Sequence, residues 1–115
     1  VNTPLSQDVA TLPVAEIATL LSVSLSRVHQ FVRDGHLLAV QREGTTVVPA
    51  EFIDEGAVIK GLPGTITVLR DGGYSDEEIL RWLFAEDDSL PGTPVASMRA
   101  GRHREVKRRA QAMAF

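Results

Sequence analysis

The sequence predicts a mainly α-helical fold that carries one small β-hairpin. Three observations predict it. Between Leu12 and Asp34, apolar residues recur at helical spacing in two short blocks separated by three residues. Between Leu38 and Val48, two short β-prone runs flank Arg42-Glu43-Gly44-Thr45. From Gly61 onward, capping signals and helical periodicity return and continue to the C-terminus.

Val1 to Thr11 is polar and aperiodic and reads as a flexible tail. The first helix spans about Pro13 to Leu21. Val14, Ile17, Ala18 and Leu21 form its apolar stripe, and Pro13 suits a first turn, where a missing N–H costs nothing. Ser22-Val23-Ser24 follows. Ser24 can N-cap a second helix, about Leu25 to Asp34, that turns Val28, Phe31 and Val32 inward. Gly35 sits just past its end, where a left-handed residue is wanted. Two short helices joined by three residues make a helix-turn-helix. Leu38–Gln41 and Thr46–Val48 then pair across a loop in which Gly44 can take positive φ. A hairpin directly behind the second helix is a wing.

Beyond the wing, Phe52, Ile53, Val58 and Ile59 return to the core. Gly61-Leu62-Pro63-Gly64 is a turn and not a phosphate-cradling loop, because no Gly-Lys-Ser/Thr follows. A helix from about Pro63 to Asp71 stops at Gly72-Gly73. Ser75-Asp76-Glu77-Glu78 is a capping box, which accounts for its carboxylates without a metal. The helix behind it buries Ile79, Leu80, Leu83 and Phe84, and Trp82 is expected at the junction of the two halves. Glu86-Asp87-Asp88 lacks the spacing of a calcium loop. Thr93 caps a short helix with Pro94 at its first position. After Gly101, a last helix shows Val106, Ala110 and Met113 as a narrow apolar stripe, with Arg104, Lys107 and Arg108 around the opposite face.

Leu12 to Pro49 resembles the winged helix-turn-helix of excisionase and MerR-like DNA-binding domains. The whole chain resembles a small actinobacterial DNA-binding family that adds a helical C-terminal part. The C-terminal resemblance rests on Leu62-Pro63-Gly64, Asp71-Gly72-Gly73-Tyr74, Ile79 to Phe84 and Val106 to Ala112. Ser22 departs from the family pattern, which usually has Gly there. A non-Gly residue held at positive φ costs about 1 kcal/mol. The organisation expected is a tail over 1–11, a winged helix-turn-helix over 12–60 and a helical extension over 61–115 packed on it.

The 115 residues suffice for one domain with a real core. Hydrophobic content of 43% and charged content of 23% place the chain among globular proteins. No cysteine is present, which excludes disulfides and thiolate metal sites. No apolar run approaches the roughly 20 residues that span a bilayer, and no signal peptide is visible. The expectation is a cytoplasmic protein with no membrane partner. His29 and His36 lie seven residues apart with no third ligand nearby, which argues against a metal. No nucleophile–base or metal-ligand constellation appears, so the reading is non-enzymatic and calls for no cofactor.

The net charge of −3 is divided unevenly. Residues 1–98 hold 6 of the 12 Lys+Arg and 14 of the 15 acids, a net −8. Residues 99–115 hold six cations against Glu105, a net +5. Residues 11–49 balance Arg27, Arg33 and Arg42 against Glu16, Asp34 and Glu43. That is poor electrostatics for a motif meant to meet phosphates.

The resemblance implies double-stranded DNA as partner, with the second helix in the major groove and the wing on adjacent backbone. The outward residues Ser26, Arg27, Gln30 and Arg33, with His29 towards the edge and Ser24 at the cap, are then the candidate contacts. Arg suits guanine O6 and N7, Gln suits adenine N6 and N7, and Ser suits phosphate or base. Arg42, placed at the wing tip, and Thr45 are the wing candidates. Arg104, Lys107 and Arg108 would extend the phosphate-binding surface, or else pair with Asp76, Glu77, Glu86 or Asp87. Thr3 and Ser6 are candidate phosphorylation sites for a Ser/Thr kinase acting on the tail. The rival reading is a protein-interaction module on the same fold, and the chain reads as a monomer or homodimer.

Overall fold

The computed structural model describes residues 8–86 and 92–114. Its first element is a strand, β1 (Thr11–Pro13), followed at once by α1 (Val14–Leu21) and α2 (Leu25–Arg33). Val14, Ile17 and Ala18 are buried on α1. The turn closes as a left-handed cap. Ser22 sits at φ 57°, ψ 43°, and the Val23 N–H donates to Ala18 O at 3.0 Å. The strained position expected of Ser22 is therefore present. Ser24 caps α2, its hydroxyl accepting from the Arg27 N–H at 3.1 Å. At the other end, Gly35 takes φ 79° and the His36 N–H donates to Phe31 O at 2.8 Å. This is a glycine-terminated Schellman closure.

β2 (Val40–Arg42) and β3 (Thr45–Pro49) form the wing, and the sheet order is β1-β3-β2, antiparallel throughout. The turn is the two residues Glu43 and Gly44, at φ 50° and 76°, the type I′ sign pattern that matches strand twist. It is tighter than the four-residue loop read from the sequence. Thr11 pairs with Pro49 and Pro13 with Val47. Thr11, read as the end of a tail, thus forms the far strand of the wing's sheet together with Leu12 and with Pro13, which was expected in the first turn of the helix and instead precedes it.

A 3-10 turn (Ala50–Phe52) leads into a second small hairpin, β4 (Ile53–Asp54) and β5 (Ala57–Val58). Among the described residues four helices follow: α3 (Leu62–Asp71), α4 (Asp76–Leu83), α5 (Pro94–Arg99) and α6 (His103–Ala114). The capping box is fully formed. Ser75 N–H donates to Glu78 Oε1 at 2.9 Å, and Glu78 N–H donates to Ser75 Oγ at 3.2 Å. These bonds hold the exposed Glu78 carboxyl below its ordinary pKa, the Ser75 backbone N–H contributing most.

One continuous core joins the two halves. Ile17, Val28, Leu38, Val48 and Phe52 share it with Leu62, Ile66, Ile79, Leu83, Val95 and Val106. The rings of Phe52 and Phe84 meet across the junction at 5.6 Å. Arg99 donates to the carbonyls of Glu51 at 2.9 Å and Ile53 at 3.0 Å and faces Asp54 at 3.6 Å. Trp82, the residue expected at this junction, is half-buried at the edge of the core.

Candidate nucleic-acid interface

α2 is amphipathic, and its inner anchor is Val28, fully buried. Phe31 and Val32 are half-buried beside it. That phase turns Ser26, Arg27, His29 and Arg33 outward, all exposed, with Gln30 at the boundary. Ser24 is exposed as well, but its oxygen is already committed to the cap.

The outer face is partly assembled in advance. Arg27 Nη1 donates to Gln30 Oε1 at 2.9 Å, and the Arg27 guanidinium lies over the Phe31 ring at 5.0 Å. Phe31 stacks in turn on His36, ring centroids 5.8 Å apart. Arg27 and Gln30, taken from the sequence as two independent contacts, are thus coupled to each other. A guanidinium held on two sides retains other N–H groups for a partner and loses less rotamer freedom on binding. The side chains of Arg33 and His29 carry no bond to the rest of the chain among the described residues.

The wing differs from expectation. Arg42 is not at the tip. It closes β2 opposite Thr45, is half-buried, and donates from Nη1 to Val9 O at 2.8 Å. The tip itself is Glu43-Gly44, with Thr45 exposed next to it. A type I′ turn shorter than the loop read from the sequence moves Arg42 into the ladder and aims it at the segment before β1. Sequence reasoning also passed over Leu25. It is half exposed, at 50%, on the first turn of α2. It stands at i, i+3 and i+7 with Val28 and Val32, so spacing places it on the inner stripe and no sequence signal marked it as exposed.

Arg104, Lys107 and Arg108 are exposed and form no ion pair among the described residues. Of the acids expected as their partners, Asp76 is engaged by Arg70 through two bonds of 2.9 Å, and Glu77 and Glu86 form no ion pair among the described residues. The Asp76 carboxylate, as hydrogen-bond partner, raises the Arg70 pKa. Asp87 lies outside the described residues, as do Thr3 and Ser6.

The position of α6 follows from α3. A Cβ added at Gly61 would lie 2.5 Å from His103 Cβ, and one at Gly72 would lie 2.6 Å from Ala114 Cβ. At Gly64 the neighbour is Lys107 Nζ, 3.6 Å away. The pairs ascend together, so α3 and α6 run parallel in close contact. The end of α2 meets another face of α3. A Cβ at Gly35 would lie 3.6 Å from Ile66 Cγ2 and 2.7 Å from Arg70 Nη1. At about 100° per residue, Ile66 and Arg70 lie roughly half a turn from Gly61, Gly64 and Gly72. α3 therefore stands between the end of α2 and α6.

Residues 2–53 match the family model described as "DNA-binding protein Rv2175c, wHTH domain". Residues 59–114 match the "Rv2175c C-terminal domain of unknown function". The chain belongs to the Rv2175c family. It is 46% identical over 124 aligned residues to the DNA-binding protein Rv2175c of Mycobacterium tuberculosis, covering 96% of this chain and 85% of that protein. The NMR structure of Rv2175c superposes with a TM-score of 0.90 at 44% identity, covering 99% of this chain and 87% of the other. Winged helix-turn-helix architecture, mainly α with a small hairpin wing, is thus both the family's fold and the one described above. Among the described residues, no helix is long and apolar enough to cross a membrane.

Proposed function

We propose that this protein binds duplex DNA through the outer face of α2, with the wing beside it, as a transcriptional or nucleoid-associated regulator. The observation that carries the reading is the α2 surface. A helix capped by Ser24 and anchored by Val28 presents an oriented Arg27, its partner Gln30 and an unengaged Arg33. Recognition helices present such residues to base edges and phosphates. The relative's name, DNA-binding protein Rv2175c, supports the same reading.

The test is base preference, measured by selecting bound duplexes from a random pool. Arg27→Ala should cost about 1–3 kcal/mol of specific binding. Because Gln30 holds Arg27, Gln30→Ala should relax preference at the same base pair, and the double variant should cost less than the two singles added. Losses at two different base pairs would show that each residue reads alone. Unchanged selection in the double variant would remove α2 as the reader.

One observation favours a second reading, a protein partner at the start of α2. Leu25, half exposed at the start of α2, lies in a motif of zero net charge. Duplex binding that is abolished by Arg27→Ala but indifferent to Leu25→Ser would leave that reading without support.

A further inference from the structure

We propose that the outer face of α6 is a second, separate DNA contact, so that one chain can hold two duplex segments at once. The inference rests on the DNA-binding reading of α2 and goes beyond it.

The argument begins with what α6 leaves over. Val106 and Ala110 are fully buried, and Met113 packs at the edge of the core. The apolar stripe is thereby used up in docking. What faces outward is Arg104, Arg108 and Arg109 with Glu105, and Lys107 reaches over the α3 edge near Gly64. With no apolar ridge outside, the helix has nothing to insert into a lipid surface. The hollow that α6 shares with α3 is lined by Val68, Asp71, Gly72, Gln111 and Ala114 and includes none of the α6 cations.

Charge points the same way. The last 17 residues are +5 on a body of −8, and within α6 only Glu105 offsets the cations. Arg104, Lys107 and Arg108 at i, i+3 and i+4 place neighbouring cations about 5–6 Å apart at their Cβ atoms. That is a compact row suited to successive phosphates, whose neutralisation supplies sequence-independent affinity. None of the three is bound to a carboxylate among the described residues.

Position makes the site separate. α3 lies between the end of α2 and α6; Arg104 and Arg108 are turned away from α3, while Lys107 lies along its edge at Gly64. Duplex DNA is stiff, with a persistence length of about 150 bp. A duplex seated on α2 cannot fold back around a body of 35 × 31 × 25 Å to reach that ridge. A second duplex can.

The experiment uses the full chain, short unlabelled duplexes and sedimentation to count duplexes per chain. The mass of the free protein is read in the same series, so that a dimer is not mistaken for a second site. Wild type should take two duplexes per chain at low salt, the weaker with a log–log salt slope of about −0.9 for each phosphate contact. The Arg104→Gln, Lys107→Gln, Arg108→Gln triple variant should take one duplex and retain the thermal midpoint, since all three side chains are exposed. On beads, wild type should carry a labelled second duplex onto an immobilised first, and the triple variant should lose that capture. One duplex per wild-type chain, with the triple variant weaker for it, would overturn the inference and place α6 on the α2 surface. An unchanged stoichiometry in the variant would also overturn it. Occupation of α6 by a poly-glutamate peptide in preference to duplex would replace it with an acidic protein partner. Failure of any duplex to bind would overturn the reading of α2 itself.

Discussion

α2 and α6 are both short helices with an apolar inner face and cations outside, yet their outer faces are built on opposite terms. On α2 the cations are few and the surrounding motif nets zero charge, but Arg27 is fixed by Gln30 and lies over Phe31. On α6 the cations are crowded, and Arg104, Lys107 and Arg108 are tied to nothing among the described residues. An oriented guanidinium favours geometric selectivity, since less freedom is lost on binding. A loose row of charges favours salt-dependent attraction with little geometric demand. On the DNA reading, selectivity and general affinity are therefore carried by different helices on different sides of α3, and each can be altered alone.

The strongest way to break that comparison is to undock α6. Gly61 sits at φ 89°, and a Cβ there meets the stiff base of His103. Gly61→Ala should destabilise the fold by about 2–3 kcal/mol, combining left-handed strain with overpacking. A lowered urea midpoint would show it, and α2-dependent selection should survive wherever the protein stays folded. An intermediate effect sharpens the role of the wing. Arg42 spends Nη1 on Val9 O, so Arg42→Ala should cost about 1 kcal/mol of stability. A fall of one unit in salt slope with no stability change would instead mark Arg42 as a phosphate contact. The smallest effect concerns the capping box. Glu78 is held below its ordinary pKa of 4.5 by Ser75. A depressed folded pKa contributes stability above the unfolded value and loses it as pH falls through the folded one. Glu78→Gln should therefore shallow the acid limb of the stability curve. An acid limb identical to wild type would show that the bond contributes nothing measurable.

Much of this architecture was legible because it is locally encoded. The spacing of Val14, Ile17 and Ala18, the cap at Ser24, the stop at Gly35 and the Ser75–Glu78 box each need only a few neighbouring residues. The exposure of Arg27, His29 and Arg33 follows from burying Val28, so the surface they share could be read in advance. The bond within that surface was not fixed in advance: the i, i+3 spacing of Arg27 and Gln30 permits it, but the rotamers that close it are not set by sequence. β1 was not legible because Thr11, Leu12 and Pro13 are too few to show alternation and their partner strand is remote in sequence. Arg42 was misplaced by turn length. Glu43 occupies a positive-φ position where Asn, Asp or Gly would have announced a two-residue turn. The position of α6 depends on which faces of α3 are occupied, a property of packing that no single segment carries.

The pairing of β1 with β3 also sets an order of events during synthesis. Thr11 and Pro49 are ladder partners 38 positions apart, and both helices of the motif lie between them. A chain emerging from the ribosome N-terminus first exposes β1 as an orphan edge until β3 follows. α1 and α2 can coil as soon as they appear, because their bonds are local. The three-stranded sheet that completes their core must wait until Pro49 is out. The nascent motif is therefore a helical pair before it is a winged one, and its half-exposed apolar faces are open to chaperones or to misassembly during that interval.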